Sequence, residues 1–235
     1  MQGVHLKRGY SELSGNHVLL GIRGLDEEIG GVPRGSVIAV AGWVGTGKTT
    51  LATQFLVEGV KNKERGMYVC TTERVESYVR NMEKLGWPIS KFVKSKMLIT
   101  VRVSKIHESR PQDMIEKLLS IIDTIDIKRL VLDSYTTLTS YFKESWSARL
   151  FTYLLLEYLG EKNCTTLLVV ETDNDREPRL GDVGFLCDGV IHLRTDFSTE
   201  PPRRKLRMLK LRGTRIPLHN FEYEIGEGGI VVLRR

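Results

Sequence analysis

A glycine-rich segment at residues 42–49 has the composition and spacing of a phosphate-binding loop. It reads Gly42-Trp43-Val44-Gly45-Thr46-Gly47-Lys48-Thr49. The glycines allow main-chain N–H groups and the N-terminus of a following helix to face phosphate oxygens. In this pattern Lys48 reaches the β- and γ-phosphates, and Thr49 offers its hydroxyl to Mg²⁺. The segment predicts a nucleoside triphosphate site with these binding residues: Gly42, Gly45, Thr46, Gly47, Lys48, Thr49 and Thr50.

An aspartate at the end of a second apolar run supplies a candidate magnesium ligand. Asp133 follows Leu130-Val131-Leu132. In triphosphate-binding proteins such an aspartate holds Mg²⁺ through water, while the loop hydroxyl, here Thr49, binds the ion directly. Because aspartates are common at strand ends, the prediction depends on pairing Asp133 with the upstream loop. It assigns Lys48 and Asp133 to catalysis and Thr49 and Asp133 to the metal, and the lack of a guanine-specifying Asn-Lys-x-Asp motif favours ATP.

The elements that must position these residues follow the alternation expected of an α/β fold. The predicted strands are Ser36–Ala41, Met67–Thr71, Met97–Val103, Leu130–Leu132, Thr166–Val170, Val190–Leu193 and Lys205–Leu211. The predicted helices are Thr49–Lys61, Val75–Leu85, Gln112–Thr124 and Ala148–Glu161. Helices join the early strands and short turns join the late ones, so we expect a mainly parallel central sheet flanked by helices, with antiparallel C-terminal strands. The interpretation is one domain over residues 17–235, preceded by a loose N-terminal arm at residues 1–16.

Composition limits the class of protein. The chain has 235 residues, of which 41% are hydrophobic, and this suits a single globular domain. No apolar run approaches the roughly 20 residues that cross a bilayer, and no apolar signal core follows the N-terminus. The three cysteines are too widely spaced for a metal-type pairing, so we expect them to be reduced. These features predict a soluble, cytoplasmic protein with no membrane partner and no metal beyond Mg²⁺.

Positive charge is concentrated near the C-terminus. The net charge is +6, and residues 194–235 hold ten Lys or Arg against five Asp or Glu. Seven of these cations lie close together: Arg203, Arg204, Lys205, Arg207, Lys210, Arg212 and Arg215. Leucines alternate with them, which indicates a strand rather than a tail. The charge is a hint of a polyanionic partner, although it is also typical of a solvated surface.

Further motifs on both sides of the phosphate loop carry a family resemblance. They read Gly21-Ile22-Arg23-Gly24-Leu25-Asp26, then Gly30-Gly31-Val32-Pro33-Arg34-Gly35-Ser36, and finally Lys210-Leu211-Arg212-Gly213-Thr214. With the phosphate loop, they resemble the KaiC-like branch of the RecA/RadA ATPases, which includes short archaeal paralogues of the RadA recombinase. The resemblance runs from about Gly21 to Val232. It implies a single RecA-type P-loop domain that binds ATP and Mg²⁺ and, in assembled members, holds ATP between neighbouring subunits.

The resemblance assigns a role to the late basic motif. In assembled members its lysine and arginine reach the γ-phosphate across the subunit interface, and Lys210 and Arg212 match them. Strand alternation predicts these two side chains on one face, with Leu209 and Leu211 on the other. The alternative is a solvated basic strand with no such role.

One departure from the family pattern affects hydrolysis. Hydrolysis needs a group that activates or positions the attacking water. KaiC-like proteins carry two adjacent glutamates after the second strand, where this chain has Thr72 and Glu73. Strand alternation could direct Glu73 away from the phosphate, although the end of a strand could also turn it inward. We therefore expect ATP binding with slow hydrolysis and take Glu73 as the candidate catalytic residue.

Other residues suggest a contact with nucleic acid. RecA-type recombinases bind single-stranded DNA through loops after the magnesium-binding strand and after the next strand. The first region here contains Tyr141, Phe142, Lys143 and Trp146, and the second contains Arg176 and Arg179. Aromatic rings stack on bases and cations contact phosphates. Alternatively, Phe142 and Trp146 form the capping end of a buried helix, and acidic residues weaken the second region as a phosphate groove.

Two functional hypotheses remain. In the first, the chain is an ATP-binding accessory protein of the RadA-paralogue type that binds single-stranded DNA and modulates recombination or repair. Its partners would be DNA and a RadA-type recombinase, or further copies of itself. In the second, it is a KaiC-like regulatory ATPase that acts through protein partners. The position of Trp43 is also open, since this ring could cover the nucleotide, pack on a neighbouring subunit or lie buried beneath the loop.

Overall fold

The computed structural model describes residues 16–103, 111–173 and 178–233. The predicted arm at residues 1–16 therefore lies outside the described residues apart from residue 16, and Arg176 lies outside them as well. Among the described residues, no helix combines the length and the apolar character that crossing a membrane requires.

Strands and helices alternate along the described chain. The strands are β1 (His17–Val18), β2 (Val32–Pro33), β3 (Val37–Gly42), β4 (Gly66–Cys70), β5 (Leu98–Arg102), β6 (Arg129–Asp133), β7 (Thr165–Glu171), β8 (Gly189–Asp196), β9 (Arg203–Leu211), β10 (Phe221–Gly226) and β11 (Gly229–Val232). The helices are α1 (Arg23–Ile29), α2 (Lys48–Lys61), α3 (Val75–Glu83), α4 (Ile89–Lys94), α5 (Pro111–Ile125), α6 (Tyr135–Thr139), α7 (Ser145–Glu161) and α8 (Gly181–Leu186).

Nine of the strands form one central sheet in the order β11-β10-β9-β8-β3-β7-β6-β4-β5. Neighbouring strands from β8 to β5 in this order are parallel, whereas β9, β10 and β11 are antiparallel. β1 and β2 form a separate small antiparallel pair. The predicted fold class, a mainly parallel sheet with antiparallel C-terminal strands, is confirmed.

Both faces of the sheet are covered by apolar layers. On β3, Ile38 and Val40 belong to one buried cluster with Phe55 of α2, whereas Val37 and Ala39 belong to the other, which includes residues of α7. A strand buried on both faces reads as a continuous apolar run, and this is why the sequence around β3 shows no polar alternation. The central strands are thereby buried on both faces, and the loops at their carboxyl ends are left to form a site.

The predicted elements are present, and the unpredicted ones are short. Each predicted strand and helix overlaps an observed one, with its ends displaced by a few residues. The prediction missed β1, β2, β10, β11, α1, α4, α6 and α8. These elements have at most seven residues each, so they span too few turns or alternations to show a period of their own.

A bulge in β9 changes the side-chain pattern predicted for the basic strand. Val190 pairs with Lys210, but the next residue of β8, Ile191, pairs with Met208, so Leu209 is an extra residue. Met208 and Leu211 are buried, whereas Leu209 is 39% exposed. The prediction that Leu209 shares a face with Leu211 is wrong, because the bulge interrupts strict alternation. Lys210 and Arg212 still share one face, since both contact α8.

Candidate nucleotide-binding site

The glycine-rich segment forms the turn between the carboxyl end of β3 and the start of α2. Gly45 and Gly47 adopt left-handed φ values of 77° and 88°, which glycine tolerates best. A side chain at Gly42 would collide with the Leu193 carbonyl of β8. The N-terminus of α2, a helix of 14 residues, opens directly onto this turn. The backbone therefore has the loop-to-helix form that binds phosphate.

Hydrogen bonds fix the inside of the loop. Lys48 Nζ donates to the carbonyls of Gly42 and Trp43, both at 2.8 Å. The buried Thr46 hydroxyl donates to the Trp43 carbonyl at 2.8 Å, and the Tyr223 hydroxyl of β10 donates to the Thr46 carbonyl at 2.5 Å. The loop conformation is thus held by its own side chains and by an antiparallel strand of the sheet.

Trp43 lies on the surface of the loop. Its side chain is 45% exposed and that of Val44 is 76% exposed. One of the three alternatives for Trp43, burial of the ring beneath the loop, is therefore wrong. Two alternatives therefore remain for the Trp43 ring, namely contact with a nucleotide and contact with another subunit.

Thr49 and Asp133 lie together at the foot of the loop, as predicted for a magnesium site. Thr49 Oγ1 donates to Asp133 Oδ2 at 2.7 Å, although β7 separates β3 from β6 in the sheet. Asp133 is only 6% exposed, and this burial raises the pKa of its carboxyl, while hydrogen bonds from Thr49 and Tyr68 oppose the rise. A hydroxyl and a carboxylate are the oxygen donors that Mg²⁺ prefers, so these residues fit the ion.

Glu73 lies close enough to this acidic residue to respond to its charge. Burial, followed by the charge of Asp133, raises the pKa of the Glu73 carboxyl. β4 ends at Cys70, three residues earlier, so strict strand alternation does not extend to Glu73. Its side chain is half-buried, whereas that of Thr72 is exposed. Of this pair of residues, Glu73 is the one with an electrostatic connection to the candidate metal site.

Lys210 and Arg212 lie at the opposite end of the sheet from the phosphate loop of the same chain. Gly189 pairs with both Ile38 and Leu211, which places Lys210 and Arg212 beside the amino end of β3. From Ile38 to Gly42 the strand advances about 13 Å, at about 3.3 Å per residue. The two cations therefore do not line the phosphate loop of their own chain.

Both cations contact the carboxyl end of α8. Lys210 Nζ donates to the carbonyls of Gly184, Phe185 and Cys187 at 3.2, 2.9 and 2.6 Å. Arg212 donates to the Phe185 carbonyl at 3.1 Å and forms an ion pair with Asp188. These contacts give the pair a structural role within one chain.

The aromatic residues predicted to contact nucleic acid differ in their accessibility. Phe142 stacks on Phe151 of α7 with the ring centroids 5.0 Å apart, and Tyr141 is half-buried. Trp146, in the first turn of α7, is 65% exposed, and Lys143 is exposed beside it. On the second segment Arg179 is exposed. Phe142 thus packs against the helix, whereas Lys143, Trp146 and Arg179 are accessible.

Two tyrosines contact the site without having been predicted to do so. Tyr223 holds the phosphate loop, and the buried Tyr68 donates from its hydroxyl to Asp133 Oδ2 at 3.0 Å. Tyr68 comes two residues before the end of β4, which pairs with β6. This position near a strand end is the sequence signal that could have indicated a contact with the site. Sequence spacing alone does not reveal which strands become neighbours.

A cleft adjoins the loop on its β10 side. It has a volume of about 640 Å³, and its lining includes Arg204, Tyr223 and Ile225. A larger cleft of about 780 Å³ is lined by residues of α1 and of β10 and β11. Tyr223 connects the smaller cleft to the phosphate loop through its bond to Thr46.

The fold and the site together define a nucleotide-binding domain of the RecA type. A family model described as "ATPase: KaiC" matches residues 18–235. The chain belongs to the KaiC family of ATPases. This confirms the resemblance to the KaiC-like branch.

Relatives of two kinds match the chain. A UPF0273 protein of Pyrococcus horikoshii is 31% identical, with 92% of this chain and 93% of that protein covered. The circadian clock oscillator protein KaiC of Prochlorococcus marinus is 30% identical over 90% of this chain, but the chain spans only 44% of that protein. The crystal structure of a KaiC-like protein from Pyrococcus horikoshii has a TM-score of 0.83 and 31% identity, covering 93% of this chain and 99% of that one.

Proposed function

We propose that the protein binds ATP with Mg²⁺ at residues 42–50 and Asp133 and hydrolyses it slowly. The observation that carries this proposal is the 2.7 Å hydrogen bond between Thr49 and Asp133, which lies at the foot of a phosphate loop that contains Lys48. Membership of the KaiC family supports ATP as the nucleotide.

Each residue has a defined part in this reaction. Loop N–H groups and Lys48 would hold the phosphates, and Thr49 and Asp133 would hold Mg²⁺, which would supply neutralisation of phosphate charge. Glu73 accepts a proton from the attacking water or positions that water. Its raised pKa makes it a stronger base than an exposed glutamate. Thr72, at the position of the first of the two family glutamates, cannot assist, and this accounts for the expected slow turnover.

The cleft beside β10 is the proposed position of the nucleoside. It adjoins the phosphate loop through Tyr223 and offers the apolar Ile225 side chain. Ile225→Ser should weaken ATP binding more than it weakens the binding of inorganic triphosphate, because only ATP places a base in the cleft, whereas the contact of Ile225 with Gly47 affects both ligands. Titration calorimetry with the two ligands measures this difference.

Self-association is the second part of the proposal. Lys210 and Arg212 face away from the phosphate loop of their own chain but match the motif that acts across an interface in assembled family members. In an assembly they would leave the carbonyls of α8 and contact the γ-phosphate bound to a neighbouring copy. The α8 carbonyls and the γ-phosphate would compete for Lys210, so assembly would depend on which nucleotide is bound.

The experiment that tests the proposed function measures ATP binding and ATPase activity of the pure protein. Wild type is expected to bind ATP in the presence of Mg²⁺ and to turn it over slowly. Lys48→Ala should lose binding, because no other side chain of the loop carries a positive charge. Lys61→Ala, at the exposed carboxyl end of α2, is the matched control. Unchanged ATP affinity in Lys48→Ala would exclude this site.

Binding of single-stranded DNA is a second candidate function, favoured by exposed Trp146 beside exposed Lys143. Its protein partner would then be a RadA-type recombinase. The affinity for a single-stranded oligonucleotide should fall steeply as salt rises, since phosphate contacts release counterions. Trp146→Ala should weaken binding, with Phe197→Ala, also an exposed aromatic, as the control. A failure to bind at low salt excludes this function.

A further inference from the structure

Two stacked tyrosines lie directly beneath the candidate metal site. Tyr68 of β4 and Tyr78 of α3 have ring centroids 3.7 Å apart and planes 7° from parallel. Both side chains are buried, with exposures of 1% and 0%. Tyr78 lies in the same apolar cluster as the side of α2 that faces the sheet. The rings therefore have little freedom to move.

The hydroxyl of Tyr68 contacts the carboxylate proposed to hold the metal. It donates to Asp133 Oδ2 at 3.0 Å, and Thr49 donates to the same oxygen at 2.7 Å. Because both bonds end on Oδ2, neither uses Oδ1. A tyrosine hydroxyl carries its proton at neutral pH, and a carboxylate oxygen can only accept, so Tyr68 is the donor in this bond.

Tyr78 connects the same cluster to the helix that follows the phosphate loop. Its hydroxyl lies 3.2 Å from Thr53 Oγ1, within hydrogen-bond distance, and the single O–H of Thr53 donates to the Thr49 carbonyl at 2.8 Å. Thr49 and Asp133 are thus joined twice, once directly and once through Thr53, Tyr78 and Tyr68. A substitution in the tyrosine pair would loosen Asp133 without touching a nucleotide.

We propose that Tyr68 is a positioning residue for Mg²⁺, since its hydroxyl fixes the Asp133 carboxylate, which together with Thr49 would hold the ion. Tyr78 keeps the Tyr68 ring in place by stacking. The inference rests on the proposed Mg²⁺–nucleotide site. Partners that orient a metal ligand through a hydrogen bond typically change metal affinity by about 10–100-fold.

The test measures ADP affinity with Mg²⁺ and with EDTA, and compares the ratio of the two dissociation constants. Tyr68→Phe removes one oxygen and keeps the stacked ring. We expect it to reduce the Mg²⁺-dependent gain in affinity by about tenfold, while the affinity in EDTA stays unchanged. Tyr78→Leu keeps the Tyr68 hydroxyl but removes its stacking surface, and it should produce a smaller loss in the same ratio.

Tyr135→Phe is the matched control, because Tyr135 is also buried and its hydroxyl also bonds to one side chain, Thr152 at 2.7 Å. It should keep the full Mg²⁺ effect. Equal weakening of ADP binding with and without Mg²⁺ in Tyr68→Phe would show a merely structural role and overturn the inference. An unchanged ratio in both Tyr68→Phe and Tyr78→Leu would do the same. If wild type binds ADP without any Mg²⁺ effect, the proposed site itself is wrong.

Discussion

At the scale of single residues, the site consists of a few side chains with separate tasks. Lys48 is held by loop carbonyls, Thr49 and Asp133 are in direct contact, and Glu73 is half-buried within electrostatic range of Asp133. Removal of one member should therefore affect one step of the reaction. A substitution of Glu73 should change the rate of hydrolysis while leaving the affinity for ATP nearly unchanged.

Glu73→Gln should reduce the steady-state ATPase rate by at least about tenfold, because a general base typically contributes about a hundredfold or more. The affinity for ATP should change little, since Glu73 is not one of the groups that hold the phosphates. Glu76→Gln, on the exposed side of the first turn of α3, is the control and should have no effect. An ATPase rate that survives the Glu73 substitution would show that another group activates the water.

At the scale of elements, Asp26 shows how a sequence motif sets the start of a helix. Its buried carboxylate accepts hydrogen bonds from the backbone N–H groups of Leu20 and Gly21 at 2.9 and 2.8 Å. The residues before α1 are thereby folded back onto the first turn of that helix. The same residues contact α2 through Gln54, which donates to the Gly21 carbonyl. The Gly21–Asp26 motif, one of those that carry the family resemblance, therefore has a structural role, since it packs against α2.

Burial raises the pKa of Asp26 to about 7, while an unfolded chain would have a value near 3.8. Between these two values the folded state binds the proton more tightly, so stability should fall as pH rises from about 4 to about 7. The loss is about 1.4 kcal/mol for each unit by which the two pKa values differ.

Urea unfolding at pH 5 and pH 8 measures this dependence, and Asp26→Asn should remove the Asp26 part of it. Asp126→Asn, an exposed aspartate, is the control and should unfold with the pH dependence of wild type. A wild type and an Asp26→Asn variant with the same pH dependence would show that Asp26 keeps an ordinary pKa.

At the scale of the whole molecule, different residues lie at the two ends of the central sheet. The carboxyl end of β3 leads to the acidic groups Asp133 and Glu73 and to the exposed Trp43. The amino end leads to Lys210, Arg212 and the exposed ring of Phe185, whose carbonyl both cations contact. The proposed γ-phosphate position and the two cations proposed to contact it thus lie at opposite ends of one chain, and this arrangement suits head-to-tail contact between copies, which closes into a ring or extends as a filament.

Sedimentation of wild type should therefore show larger species with ATP than without it. The double variant Lys210→Ala, Arg212→Ala should lose this ATP-dependent shift while still binding ATP as a single chain. Arg207→Ala removes an exposed cation from the same strand and is the control, which should assemble as wild type does. If the double variant still assembles with ATP, self-association does not depend on these two cations.

Local spacing in the sequence determined the phosphate loop, the strand end at Asp133 and the α/β class, because each depends on neighbouring residues or on a short period. Tertiary structure alone decided the contact of Tyr68 with Asp133, the bulge at Leu209 and the position of Lys210 and Arg212 beside α8. These features depend on strand order and register, which bring together residues from 17 to 65 positions apart in the chain. No local period encodes such pairings, and so the candidate nucleotide site could be predicted from the sequence while its supporting contacts could not.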